Sequence, residues 1–235
     1  MRSAHLLQLH DPSHTLWQPR VGVPRAAERP SELPVRVRFR ARRDAEALEA
    51  LIARAYPEPR FGRGFLGSED QLRRQLAWFP EGQWVAERAD GRMVGASMCL
   101  RVDLGEAMAP HTRRQILESC VEGEQPWGNA IYGVGLAIDP EYRGQGIGSF
   151  LIQVQVEMGR VLGCSAFLWG ARLAGVQAHA ELSSHAYLER VRRRQVWDPC
   201  LGPMMAMGFQ VLGLLERYAP DPESRGCAAL LHRAI

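Results

Sequence analysis

From Val35 to Arg40 the chain alternates, with Val35, Val37 and Phe39 on one side and Arg36, Arg38 and Arg40 on the other. A period of two is that of a strand with one buried face, and it predicts a half-buried strand here. The period then changes. Leu48, Leu51, Ile52 and Ala55 recur at helical spacing, Asp44 is placed to cap that helix, and Pro57 ends it. Ser68 and Gln71 form a capping-box pattern ahead of Leu72, Leu76 and Phe79, which predicts a second helix. Strands are expected at 83–88 and 92–102, joined through Ala89-Asp90-Gly91. A short helical piece is expected at 112–120 and a strand at 130–138.

A loop at 139–145 separates that strand from a helix over 146–162 with an apolar stripe of Leu151, Val154, Met158 and Val161. A strand at 166–171, an inserted segment at 174–197 with a helix near 185–195, a short helix at 201–207 and strands at 209–215 and 227–232 complete the pattern. The order predicts an α/β (α+β) domain built on a mixed sheet with helices on both faces. The domain is expected to span 35–235, with insertions near 105–129 and 174–197. Residues 1–34 carry five prolines and no sustained period, and are read as an extended arm.

Composition narrows the classes. A net charge of +3 is too small to argue for nucleic acid. No apolar run has the length of a membrane span, and residues 1–20 lack a signal-peptide pattern. The five cysteines are odd in number and none are paired as C-x-x-C, against a disulfide framework or a zinc site. A reducing cytoplasm is the simpler setting. His179 and His185 are spaced wrongly for a metal pair on one helix face, so no metal is expected.

The segment carrying chemistry is Ile138-Asp139-Pro140-Glu141-Tyr142-Arg143-Gly144-Gln145-Gly146-Ile147-Gly148-Ser149. It reads as a strand end, a glycine-rich loop and a helix start. Glycines allow close approach of a ligand to the backbone, and the unpaired N–H groups of a helix N-terminus attract an anion. Lysine is absent from the chain, which excludes a P-loop. The glycines fall in mid-chain as Gly144-x-Gly146-x-Gly148, with Arg160 and Val161 where a dinucleotide site would need an acid.

Arg143-Gly144-Gln145-Gly146-Ile147-Gly148, after a strand ending Ile-Asp-Pro-Glu-Tyr, closely resembles motif A of the GNAT N-acetyltransferases. Met207-Gly208-Phe209 resembles the opening of the family's late strand. The resemblance implies a GNAT fold, with a mixed, mostly antiparallel central sheet, over about 35–232. It implies acetyl-CoA or another acyl-CoA as co-substrate. Arg143, Gly144, Gln145, Gly146, Ile147 and Gly148 would hold its pyrophosphate, Leu136, Ala137 and Ile138 would line its pantetheine arm, and Ser149 would complete the cofactor site. The 79–83, 170–173, 198–199 and 220–226 segments resemble GNAT domains fused to carbon–nitrogen hydrolases, although no hydrolase domain is expected in a chain ending at Ile235.

What the resemblance implies for function is N-acylation of a primary amine, on a small molecule or peptide, by direct attack on the thioester. A homodimer is among the family's habits. The oxyanion donor would be the Ala137 or Ile138 amide. The carboxylate many relatives carry on this strand is missing, and Met204 stands where many have a tyrosine. Tyr132 and Tyr187 are the candidate substitutes, with water-relayed proton transfer left open. Trp169 and Arg172, at the end of the strand after motif A, are the candidate acceptor contacts. The alternative function is a non-catalytic acyl-CoA sensor or scaffold of the same fold. On the 130–138 strand, regular alternation would set Tyr132, Val134, Leu136 and Ile138 against Ile131, Gly133, Gly135 and Ala137.

Overall fold

The computed structural model describes residues 16–17, 35–57, 66, 68–122 and 128–235. Eight strands form one sheet: β1 (Leu16–Trp17), β2 (Val35–Phe39), β3 (Gln83–Arg88), β4 (Met93–Val102), β5 (Ala130–Ile138), β6 (Ala166–Arg172), β7 (Gln210–Leu215) and β8 (Ala228–Ala234). Their spatial order is β1-β2-β3-β4-β5-β6-β8-β7. Every pair is antiparallel except β5–β6, which is parallel. The expected mixed, mostly antiparallel sheet therefore forms. The arm before Val35 is described only at Leu16–Trp17, which pairs with β2 at the sheet edge; the rest of the expected arm lies outside the described residues.

Helices cover both faces. One face packs Leu48, Leu51 and Ala55 of α1 (Ala45–Ala55), Leu72 of α2 (Glu69–Trp78) and Ile116 and Leu117 of α4 (Arg113–Glu122). The opposite face packs α5 (Ile147–Val161), α6 (Ser184–Arg192) and α7 (Leu201–Ala206). A short helix that the sequence pattern does not predict, α3 (Leu104–Met108), precedes α4 and is capped by Asp103.

The local signals act as their chemistry dictates, with two differences. Ser68 and Gln71 make the reciprocal capping box of α2. Asp44 stands at the N-cap position of α1 without capping it, because its carboxylate is taken by Arg38 and the Ala41 N–H. On α5 the buried face is Ile147, Leu151, Ile152, Gln155, Val156, Met158 and Gly159, while Val161 is 53 % exposed. The expected stripe is thus rotated: helical spacing from Leu151 is continued by Gln155, a polar residue that apolar pattern-matching passes over.

The sheet departs from regularity at β5. Met98 pairs with Gly135, whereas Cys99 pairs with Gly133, so Val134 is an extra residue in the ladder. Such a bulge reverses side-chain alternation downstream. Tyr132, Val134 and Ala137 accordingly pack on the α1 face, while Leu136 and Ile138 pack on the α5 face with Ile147 and Leu151. The regular alternation read from sequence does not hold past Val134.

Candidate functional site

β5 and β6 run side by side only from the Ala130–Ala166 pair to the Gly133–Trp169 pair. Beyond it β5 continues to Ile138 and β6 to Arg172 without pairing to each other. The two strands part just where the bulge lies, leaving an open β5 edge in the middle of the sheet.

That edge is held by three side chains from outside the strand. Arg113 donates to the Val134 carbonyl at 2.9 Å, Tyr56 to the Leu136 carbonyl at 2.6 Å, and Arg143 to the Ile138 carbonyl at 3.3 Å. Arg143 also donates to the Ala55 carbonyl at the end of α1. In an extended strand a residue's N–H and C=O point to the same side. Past the bulge the Leu136 and Ile138 amides therefore share this open edge, and the Ala137 amide faces β4. The Asp139 N–H donates to the Val94 carbonyl, as that alternation requires.

The loop after β5 begins with a 3-10 turn, Pro140–Tyr142, capped by Asp139. Asp139 is 1 % exposed and is gripped by Arg54 at 2.9 Å and Arg92 at 3.0 Å. Burial alone would raise its pKa, but the two guanidinium groups and the Glu141 N–H hold the carboxyl below its ordinary value. Gly144 and Gly146 then take the left-handed backbone region, with φ of 74° and 84°, which costs little only for glycine. Gly146 is the N-cap of α5, whose 15 residues point their N-terminus at this loop. No backbone N–H from Gly144 to Ser149 finds an acceptor among the described residues; the first to do so is that of Phe150, which donates to the Gly146 carbonyl. Gly148 lies against Leu136 and Ile138, so this row of donors adjoins the open β5 edge. A row of unpaired amides at a helix dipole's positive end is an anion site.

A polar cluster lies at the other end of the opening. The His111 Nε2 is 2.8 Å from the Tyr132 hydroxyl, and that hydroxyl is 3.2 Å from the Tyr218 hydroxyl. Both phenols are buried, and both oxygens lie close to Gly170, the first β6 residue beyond the last pair with β5. Burial raises both phenols above the ordinary tyrosine value and lowers His111 below the ordinary histidine value.

The other residues singled out from sequence are dispersed. Tyr187 lies in the core on the α5 face, and its hydroxyl donates to Asp198 at 2.8 Å. Asp198 also accepts from the Gly175, Cys200 and Leu201 amides, tying the 174–197 segment to the start of α7. Trp169 is buried against Phe167. Arg172 reaches the open part of β6, but its charge is met by Asp221 at 2.6 Å and Glu223 at 2.9 Å. Sequence reasoning passed over His111, Arg113, Tyr56 and Tyr218. His111 and Tyr218 are 21 and 86 residues from Tyr132, and only the fold brings them together. Among the described residues no group of three or more His, Cys, Asp or Glu could hold a metal, and no helix is long and apolar enough to cross a membrane.

Residues 46–190 match the acetyltransferase (GNAT) family. The chain is 30 % identical to YkwB of Bacillus subtilis (strain 168), described as an uncharacterized N-acetyltransferase, over 80 % of this chain and 83 % of that one. It is 29 % identical to YhcX of the same organism, a probable hydrolase, over 65 % of this chain but 30 % of that longer one. In structure it resembles the GphF GNAT-like decarboxylase in complex with isobutyryl-CoA, with a TM-score of 0.71 and 26 % identity over 85 % of this chain and 98 % of that one.

Proposed function

Because the chain belongs to the GNAT acetyltransferase family, we propose that it transfers an acetyl group from acetyl-CoA to a primary amine by direct attack on the thioester. The observation carrying this reading is the run of unpaired amides from Gly144 to Ser149, set against an open β5 edge. The pyrophosphate is assigned to that run, which comprises Gly144, Gln145, Gly146, Ile147, Gly148 and Ser149. Arg143 closes its near side. The pantetheine arm is assigned to the edge formed by Leu136, Ala137 and Ile138, where the Leu136 and Ile138 amides are offered to a ligand's own carbonyls while their carbonyls are held by Tyr56 and Arg143.

Direct attack requires a donor for the developing oxyanion. Of the open-edge amides that of Leu136 is the better choice, because the Ala137 amide is turned toward β4 and the Ile138 amide lies at the phosphate end, farthest from the Tyr132 cluster. Proton transfer falls to Tyr132, whose hydroxyl is next to Gly170 where the strands part. Tyr187 is the weaker candidate, since its proton is committed to Asp198. Arg172, at the end of β6, remains the acceptor-side contact, and Trp169 supports the strand from the opposite side. Cys99, Cys164, Cys200 and Cys227 are free thiols, which fits a reducing cytoplasm.

The test is thiol release from acetyl-CoA in the presence of polyamines, amino acids, other small amines and peptides. Release that depends on the amine supports the reading; binding without release under any amine supports a sensor instead. A second reading, decarboxylation of a carboxyacyl-CoA, is favoured by the likeness to the GphF protein. Carbon dioxide release from malonyl-CoA without any amine distinguishes it.

A further inference from the structure

We propose that Tyr218, Tyr132 and His111 form a directional proton relay, in which His111 stores the proton that the acceptor amine sheds on attacking the thioester. The proposal rests on the acyltransferase reading above and supplies the base that reading lacks.

The direction follows from donor and acceptor chemistry. The His111 Nδ1 is 2.7 Å from the Ala109 carbonyl. A carbonyl oxygen can only accept, so Nδ1 carries the hydrogen. The ring is neutral when its remaining nitrogen, Nε2, bears a lone pair, and that lone pair takes the Tyr132 hydroxyl proton at 2.8 Å. Tyr132 has one proton and has given it to His111. The Tyr218 hydroxyl must therefore donate to the Tyr132 oxygen across 3.2 Å. The Tyr218 oxygen is left with lone pairs at the inner end of the chain, beside Gly170. A side-chain carbon on Gly170 would lie 2.3 Å from the Tyr218 oxygen and 2.7 Å from that of Tyr132. Glycine at this position thus makes room for both phenol oxygens against the β6 backbone, just past the last β5–β6 pair.

The surroundings favour a neutral, proton-ready imidazole. Burial lowers the His111 value, and the Ala109 hydrogen bond only partly offsets it. The charged group facing the relay is Arg113, at the start of α4, with Tyr56 from the end of α1 beyond it. Arg113 lowers both phenols against the opposing effect of burial, which eases a transient negative charge on either oxygen. None of the three relay side chains has a carboxylate partner among the described residues.

The step balances as follows. The neutral amine nitrogen bonds to the thioester carbonyl carbon while the C=O electron pair moves onto oxygen. The nitrogen's surplus proton passes to the Tyr218 oxygen, the Tyr218 proton to Tyr132, and the Tyr132 proton to Nε2, giving an imidazolium. Collapse of the intermediate breaks the C–S bond, and the same protons shift back so that the CoA thiolate leaves as the thiol.

The test uses the full chain with acetyl-CoA and the amine giving the fastest thiol release. His111→Gln, Tyr132→Phe and Tyr218→Phe should each lower kcat by about 100-fold with KM for acetyl-CoA unchanged. The double Tyr132→Phe/Tyr218→Phe variant should be no worse than either single one, because the groups act as a unit. The acid limb of the kcat profile should vanish in His111→Gln, and imidazole should restore turnover to His111→Ala. Unchanged kcat in any of the three, or a loss that leaves the acid limb in place, overturns the relay. A wild-type chain that releases no thiol with any amine defeats the acyltransferase reading instead. The relay is then decided by nitrogen-15 spectra of His111 at neutral pH. A neutral ring with its proton on Nδ1 supports it, and a proton on Nε2 overturns it.

Discussion

The Trp169 indole fills the space beside Gly133, so that a side-chain carbon on Gly133 would lie 2.0 Å from the ring. These two residues are also the last β5–β6 pair. The missing side chain at Gly133 is therefore taken up by the neighbouring strand. It lets an aromatic ring from the adjacent strand lie flat where the sheet begins to open.

Gly133→Ala should lower stability by about 1–3 kcal/mol, the usual cost of forcing extra volume into a packed site. Trp169→Leu in the same chain should recover part of that loss. Urea midpoints of the two single variants and the double variant measure the coupling.

Two glycines separate backbone strain from ligand binding. Gly144 in the loop and Gly163 after α5 have φ of 74° and 71°, and neither has an atom within 4 Å of an added side-chain carbon. Alanine at either should cost about 1–2 kcal/mol, the ordinary penalty for a left-handed L-residue. Only Gly144→Ala should also weaken acetyl-CoA, by about fivefold or more, because only that loop presents the amide row. Thermal melts with and without acetyl-CoA compare the two.

Asp139 predicts an acid limit to stability. Arg54 and Arg92 hold its folded value below the reference of 3.8 despite burial. A depressed carboxylate contributes stability that is fully present above the unfolded value and is lost as pH falls through the folded one. Stability should be level in this respect down to about pH 4 and decline below it. Asp139→Asn should be less stable at neutral pH and show a shallower decline. The denaturation midpoint followed from pH 7 to pH 2 reads both.

Asp198 is expected to matter for folding rather than for binding. Its carboxylate accepts from Tyr187, Gly175, Cys200 and Leu201. Asp198→Ala leaves those buried or part-buried donors unmet and should cost about 2–4 kcal/mol. Tyr187→Phe should cost about 1 kcal/mol. The acetyl-CoA dissociation constant of the folded fraction should change in neither.

Much of the fold was legible in the chain, because its elements are fixed by local rules. The Val35–Phe39 alternation, the Ser68–Gln71 box and the strand–glycine–helix run at 130–161 each specify themselves within a few residues. The anion loop was legible for the same reason, since its glycines and helix start are contiguous. The bulge at Val134 was not, because it depends on how β4 pairs with β5 and leaves no local signature. It turned Leu136 and Ile138 to the α5 face and so defeated a reading by strict alternation. The His111–Tyr132–Tyr218 cluster was illegible beyond Tyr132, as its members come from three distant segments. Tyr187 could not be separated from Tyr132 by sequence, since both are single tyrosines and only their partners distinguish them.

Calorimetric titration with acetyl-CoA and with acetylpantetheine, which lacks the pyrophosphate, tests the assignment of the Gly144–Ser149 amides most directly. The account predicts that acetyl-CoA binds and that acetylpantetheine binds about 100-fold or more weakly, a difference of about 2.7 kcal/mol. Equal affinity for the two, or no heat with acetyl-CoA, would contradict it.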